Sequence, residues 1–181
     1  MKTTFSEANM TFTKRAHLAA QAQFYSRMYP AGVEFVDAVG TARDLEYAID
    51  CQLAITVKGL RAPISMAVQE RFRRPSESAM QYGDITVTEW NLASNQPSEL
   101  HKLGAQMFVY GFYDERADHI VAAVAVDVGL MQWALVNGEL GYERRPRGDQ
   151  SFLGIKVTAL RELGAVLFQY DGRVESRAVA S

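Results

Sequence analysis

Asp50 interrupts an apolar run, AIDCQLAI, and a second run downstream carries Gln69, Glu70, Arg71 and Arg73 in VQERFRR. Further on, Gln106 and Tyr110 stand one helical turn apart in KLGAQMFVY. An isolated acid, a polar pair and a cation brought to one point suit metal-assisted cleavage of a phosphodiester. Metal ions neutralise the phosphate and activate water there. Hard Mg²⁺ keeps several of its waters, so two or three protein oxygens suffice to hold it. A buried unpaired carboxylate is costly, so Asp50 is expected to meet a cation, a metal or a backbone donor.

The elements that must position these groups follow from periodicity. Residues 13–29, TKRAHLAAQAQFYSRMY, keep Ala16, Ala19, Ala20, Phe24 and Met28 at helical spacing, and Pro30 and Gly32 end the pattern. VEFVDAV and LEYAIDCQLAITV read as strands on either side of GTARD. Alternation in the second puts Leu45, Tyr47, Ile49, Cys51 and Leu53 on one face, with Glu46, Ala48, Asp50 and Gln52 on the other. A turn around Lys58, Gly59 and Pro63 leads into a third strand, residues 64–73, antiparallel to the second. Gln69 and Arg71 share a face of it and are the groups expected beside Asp50; Glu70 takes that place if the strand is bulged there.

RRPSESAMQYGD reads as a loop and DITVTEW as a further strand. After SNQPS, residues 99–112 read as a helix with Leu100, Leu103, Met107 and Tyr110 as its apolar stripe and Gly104 marking a close approach to the sheet. HIVAAVAVDV reads as a strand buried on both faces. A basic GYERRPRGD loop, a short helix near residues 158–163 and AVLFQY complete the chain. The order predicts one α/β domain over residues 1–181, with its core in about 13–128 and additions in 129–181. Its central mixed sheet is flanked by the 13–29 and 99–112 helices.

At 181 residues the chain is long enough to bury a sizeable core. Its net charge of −2 argues against a binder that works through bulk positive charge, and is compatible with an acidic metal site offset by basic flanks. Cys51 is the sole cysteine, which excludes intramolecular disulfides and four-cysteine clusters. MKTTFSEANMTFTKR has no apolar signal core and no apolar run is long enough for a bilayer, so a cytoplasmic, soluble protein is expected. No Walker loop, GxGxxG turn or GxSxG elbow is present.

Taken in order, Asp50, AVQER and the segment after them resemble the PD-(D/E)XK nuclease superfamily over residues 45–112. In that superfamily an Asp on one strand is followed by an acid-x-Lys pair on the next, then by a helix. Gln69 stands at the acid position and Arg71 at the Lys position, while Gln106 and Tyr110 resemble the Gln-x-x-x-Tyr helix signature of the RecB-type exonuclease branch. The resemblance implies a restriction-endonuclease-like core and a Mg²⁺- or Mn²⁺-dependent deoxyribonuclease. Its catalytic set would be Asp50, Gln69, Glu70 and Arg71, with Asp50 and Glu70 on the metal and Arg73, Lys102, Gln106 and Tyr110 on substrate. DNA is the expected partner and RNA the alternative; a homodimer is expected of a small enzyme that cuts both strands. Gln brings no charge, and Arg stays protonated, so it stabilises charge rather than acting as a base. Those departures define a rival: a catalytically decayed module of the same fold that binds nucleic acid or a protein partner.

Plainer roles stand beside each of these. Asp50 and Arg71 make a cross-strand ion pair, Glu70 lies on a wet face, Gln106 and Tyr110 are ordinary helix residues, and Lys102 is solvated. Asp84 in YGDITV is a turn residue or a further acidic ligand. His17, His101 and His119 lack metal-ligand spacing, His17 being the one a first-helix position brings toward the site. Arg61, Arg73, Arg74, Arg144, Arg145 and Arg147 are candidate phosphate contacts. Trp90, Trp133 and the tyrosines are stacking partners or core. A structural or assembly protein with no nucleic-acid role is the third reading, and it predicts no salt-dependent DNA binding.

Overall fold

The alanine-rich spacing near the amino terminus folds as its periodicity requires. The computed structural model describes residues 7–76, 80 and 83–172. Helix α1 (Glu7–Ala20) runs through a π turn (Gln21–Tyr25) into a last turn, α2 (Ser26–Met28). The wider π turn sets the consecutive residues Phe24 and Tyr25 both toward the protein, each fully buried. Strand β1 (Val33–Asp37) follows, then α3 (Ala42–Tyr47), β2 (Cys51–Ile55) and β3 (Ile64–Arg73).

The alternating 45–57 run is therefore split: residues 45–47 end a helix and residues 51–55 form the strand. Thr41 opens α3, the Gly40 N–H donates to Asp44 Oδ2 at 2.8 Å, and Ala48 closes the helix at φ 48°. These local caps override a period-2 pattern whose first members face solvent, Leu45 at 67% and Tyr47 at 53% exposure. Glu46 accordingly lies on α3 and shares no strand face with Asp50.

Beyond β3 come β4 (Asp84–Asn91), β5 (Gln96–Pro97), α4 (Glu99–Lys102), β6 (Met107–Asp114), β7 (His119–Asp127) and α5 (Val128–Val136). The 99–112 helix expected from Leu100, Leu103, Met107 and Tyr110 stops after one turn. Gly104 lies against α3, donating its N–H to the Tyr47 carbonyl at 2.8 Å, and a Cβ there would sit 3.3 Å from Tyr47 Cβ. MFVYGFY, rich in aromatic and β-branched residues, then enters the sheet and is buried on both faces. Helical spacing and two-sided strand burial give the same apolar pattern over so short a run, and tertiary contact decides between them.

β8 (Glu143–Arg147), β9 (Gln150–Lys156), α6 (Val157–Glu162) and β10 (Val166–Asp171) finish the described chain. The basic segment expected as a loop is mostly strand β8, turned back onto β9 through Gly148 at φ 61°. In the 73–84 segment expected as a loop, residues 77–79 and 81–82 lie outside the described residues.

The main sheet has the order β1-β2-β3-β6-β7-β10 and is mixed: β3 and β6 are parallel, the other neighbours antiparallel. A second sheet, β5-β4-β9-β8, is antiparallel throughout. One face of the main sheet buries Cys51, Leu53, Val68 and Val109 under Phe12, Ala16, Phe24 and Tyr25 of the first helix. The other buries Phe108, Tyr110, Val124 and Val126 against Ile85, Val87, Leu153 and Ile155 of the second sheet, with Met131 and Leu160 of α5 and α6. A central mixed sheet flanked by helices is thus present, and the second sheet takes the ground expected of the 99–112 helix. β10 closes an edge of the main sheet, so the last third is built into both sheets.

Candidate functional site

Asp50 lies between α3 and β2 and makes the last rung of the β2–β3 ladder. Its N–H donates to the Val68 carbonyl at 2.9 Å, and its Oδ2 accepts from the Glu70 N–H at 2.7 Å. β2 diverges from β3 at this point, so the carboxylate satisfies a donor that no strand partner reaches. The other carboxylate oxygen makes no hydrogen bond among the described residues. Burial pushes the Asp50 carboxyl up to about 7; the Glu70 N–H opposes the rise, and the charges of Glu70, Asp44 and Glu99 add to it. A half-protonated acid held among other acids is a place where a cation is favoured.

β3 pairs without a register shift on either side, so its side chains alternate strictly. Gln69, Arg71 and Arg73 face the second sheet, and Glu70 and Phe72 face the first helix. On the second-sheet side the organising group is Glu99, in the single turn of α4. Its Oε2 lies 2.8 Å from Arg71 Nη2 and accepts from the Thr88 N–H at 3.1 Å, and its Oε1 accepts from Gln69 Nε2 at 3.3 Å. Arg71 also donates to Thr88 Oγ1 at 2.7 Å and lies over the Phe152 ring, 5.8 Å from its centroid. Burial lowers the Arg71 guanidinium from its ordinary value, and the Glu99 charge opposes that. Gln69 is 9% exposed, and its Oε1 is buried with no hydrogen-bond partner among the described residues. A buried amide oxygen left without a donor costs about 1–3 kcal/mol, and a cation would satisfy it. Gln69 Oε1 is thus an unpartnered oxygen beside Glu99, whose charge is also felt at Asp50.

Glu70 lies on the opposite face of β3 from Gln69 and Arg71. With no bulge in β3 it points to the helix face, where Tyr25 Oη donates to its Oε1 at 2.5 Å and His17 Nδ1 lies 2.7 Å from its Oε2. Both carboxylate oxygens carry these contacts, and the Glu70 N–H holds Asp50, so the two acids are neighbours although Glu70 faces away from Gln69 and Arg71. Burial pulls the His17 imidazole down, but the hydrogen bond and charge of Glu70, with Asp37 and Asp50, outweigh it and leave the pKa raised. Cys51 completes a trio with His17 and Glu70 whose ligand atoms lie within 4.8 Å of one another. Burial, then the charges of Glu70, Asp50 and Asp37, push the thiol far up, so it stays S–H at neutral pH.

The remaining expectations divide. Arg73 stands beside the site, donating to Thr86 Oγ1 at 3.0 Å. Lys102 is exposed at the end of α4. Gln106 is held by Ala67, whose N–H donates to its Oε1 at 2.9 Å and whose carbonyl accepts the Gln106 N–H at 2.9 Å. Tyr110 is a buried strand residue in the inter-sheet core. Four residue steps of extended chain put these two about 13 Å apart, not one helical turn, so the Gln-x-x-x-Tyr helix signature is not formed. Asp84 is engaged by Arg145 at 2.7 Å, and His101 packs edge-on against Trp90. Tyr25, Thr88 and Glu99 escaped the sequence reading. An acid directly after Ser98 at a helix start between two strands was the available signal for Glu99.

No protein-family model matches the sequence, and no curated protein matches it. Among solved structures the chain is similar to D212, a nuclease from a fusselovirus, at 11% identity over 86% of this chain and 88% of that one, with a TM-score of 0.34. A likeness of that degree carries no inference about activity.

Proposed function

We propose that the chain is a metal-dependent nuclease that hydrolyses phosphodiester bonds, with DNA as its substrate and Mg²⁺ or Mn²⁺ as its metal. The observation that carries this reading is Asp50, held by the Glu70 N–H and raised to about 7 by burial and by the charges of Glu70, Asp44 and Glu99, beside a strand that carries the unpartnered Gln69 Oε1 and the Glu99-paired Arg71. Asp50 and Glu70 would hold the ion, with Gln69 Oε1 as a further neutral oxygen, and the ion would supply Lewis acidity toward the phosphate and lower the pKa of bound water. Arg71, positioned by Glu99 and Thr88, would take a phosphate oxygen on which charge builds. The free oxygen of Asp50, near neutrality, can hold or release a proton at working pH. Tyr25 and His17 fix Glu70, and the Glu70 N–H in turn orients Asp50. A dimer would let such a site act on both strands of a duplex. Among the described residues no helix is long and apolar enough to cross a membrane.

The decayed-site reading is favoured by a specific observation: the carboxylate oxygens of Glu99 are already taken by Arg71, Thr88 and Gln69, and those of Glu70 by His17 and Tyr25. Cleavage of labelled single-stranded, duplex and branched DNA with Mn²⁺, Mg²⁺ or EDTA separates the two. Asp50→Asn is the control of choice because Asn keeps an acceptor for the Glu70 N–H. Metal-dependent cutting lost in Asp50→Asn supports the nuclease. Folded protein that cuts nothing with either metal moves the assignment to the decayed module.

A further inference from the structure

A cleft of about 820 Å³ opens where β3 ends, and Phe12, Arg73, Arg74, Thr86, Arg145 and Arg147 are among the residues that line it. Phe72, Tyr110 and Phe152 add ring surface to the same walls. The single acid of the lining, Asp84, is engaged by Arg145 at 2.7 Å. Arg74 pairs with Glu115 at 2.6 Å. Arg73 and Arg147 make no ion pair among the described residues, and Arg73 Nε is buried without an acceptor. In a chain of net charge −2, this is a local excess of unmatched positive charge.

The cleft is joined to the acidic site by one ring. The guanidinium of Arg71, held on Glu99, lies 5.8 Å from the Phe152 centroid, and that of Arg73 lies 5.7 Å from the same centroid. Arg74 lies over Phe12 at 4.3 Å. Three guanidinium groups thus lie against two rings, Arg71 and Arg73 on Phe152 and Arg74 on Phe12, and this contact restricts their rotamers before any ligand arrives. Cations that track a backbone beside aromatic faces are what an unpaired strand requires. A duplex hides its base faces and presents phosphates on a broad convex surface, so it would leave both the rings and the half-buried Arg71 unused.

We infer that this cleft is a groove for single-stranded nucleic acid, with phosphates on Arg73 and Arg147 and a base against Phe152, leading the strand to Asp50 and Glu99. The inference deepens the nuclease reading and rests on it for its direction, but binding can be measured without catalysis. Fluorescence anisotropy of a labelled single-stranded DNA oligonucleotide in EDTA, over a salt series, compares the wild type with Arg147→Ala, Arg73→Gln/Arg147→Ala and Phe152→Leu. Arg147 is exposed, so its variant tests the groove with the fold intact.

The double variant is expected to lose at least about 10-fold in affinity, with the log–log salt slope shallower by about 1.4, since each single-strand phosphate contact contributes about 0.7. Phe152→Leu is expected to lose about 5-fold or more. The same sequence as a duplex should bind more weakly and respond less to Phe152→Leu. Wild-type affinity and salt slope in Arg147→Ala, or a duplex bound as tightly and weakened alike by Phe152→Leu, overturns the groove. The two readings fail separately: Arg147-dependent binding without metal-dependent cleavage keeps the groove and removes the nuclease. Asp50-dependent cleavage with binding indifferent to Arg147 does the reverse.

Discussion

Replacing Glu99 with Gln tests whether the inter-sheet cluster is organised as its geometry indicates. The Arg71–Glu99 pair is close, at 2.8 Å, with side-chain exposures of 21% and 11%. At an effective dielectric of about 20, two unit charges at that distance attract by about 6 kcal/mol. Desolvation cancels much of that in forming the pair, but removing one partner leaves the other buried and uncompensated, at about 3–5 kcal/mol. Gln keeps an acceptor for the Thr88 N–H, so the variant loses charge more than hydrogen bonding. We expect Glu99→Gln to cost about 3 kcal/mol, which for a chain of this size lowers Tm by about 6–12 °C. Urea unfolding at pH 7 supplies the free energy, and Arg71→Met with the double variant closes the cycle. The double variant should be markedly more stable than the sum of the singles implies, with a coupling of at least about 1.5 kcal/mol. A loss under about 1 kcal/mol, or additive singles, would refute the claim that Glu99 anchors Arg71.

Other consequences follow from the same geometry. An acid whose folded pKa is raised to about 7 costs stability that is absent below its unfolded value, accumulates between about pH 4 and 7, and is constant above. Asp50→Asn should therefore match the wild type near pH 4 and exceed it by up to about 4 kcal/mol at pH 8 by urea unfolding; equal stability at both pH values would refute the burial argument. His17, with its pKa raised, contributes stability that is fully present below its unfolded value and lost as pH rises through the folded one. The deficit of His17→Gln should thus be largest near pH 5 and shrink by pH 9. Mn²⁺ at about 100 times its Kd should stabilise the wild type by about 2.7 kcal/mol in thermal melts, and Asp50→Asn should abolish the shift. Gly111→Ala would bring a Cβ to 2.8 Å from Phe72 Cε1 and 2.9 Å from the Ala122 carbonyl oxygen. It should destabilise by about 1–3 kcal/mol in denaturant, because the carbonyl belongs to the neighbouring strand and cannot turn aside.

The first helix, β1, β3, β4 and β7 were legible because each carries its own local signal. Helical alanine spacing, alternation and a continuous apolar run survive without knowledge of neighbours. The same alternation brought Gln69 and Arg71 to one face of β3, as the structure has them. Two elements were not legible. Residues 45–47 imitate a strand until the helix caps are seen, and residues 107–112 imitate a helix until both their faces are covered.

What the sequence alone determined is the inventory: an isolated acid at Asp50, the polar order of VQERFRR, and the mixed α/β class. Each depends on residues close together in the chain, where spacing sets geometry directly. Tertiary structure decided which of these groups meet. Glu99 reaches Gln69 and Arg71 only because α4 follows β4 and β5 of the second sheet, across the gap from β3. Glu70 turns to His17 and Tyr25 because β3 keeps its register between β2 and β6. Local pattern can place a side chain on a face, but long-range packing selects what lies opposite, and the Coulomb and desolvation energies that assign its role depend on that partner.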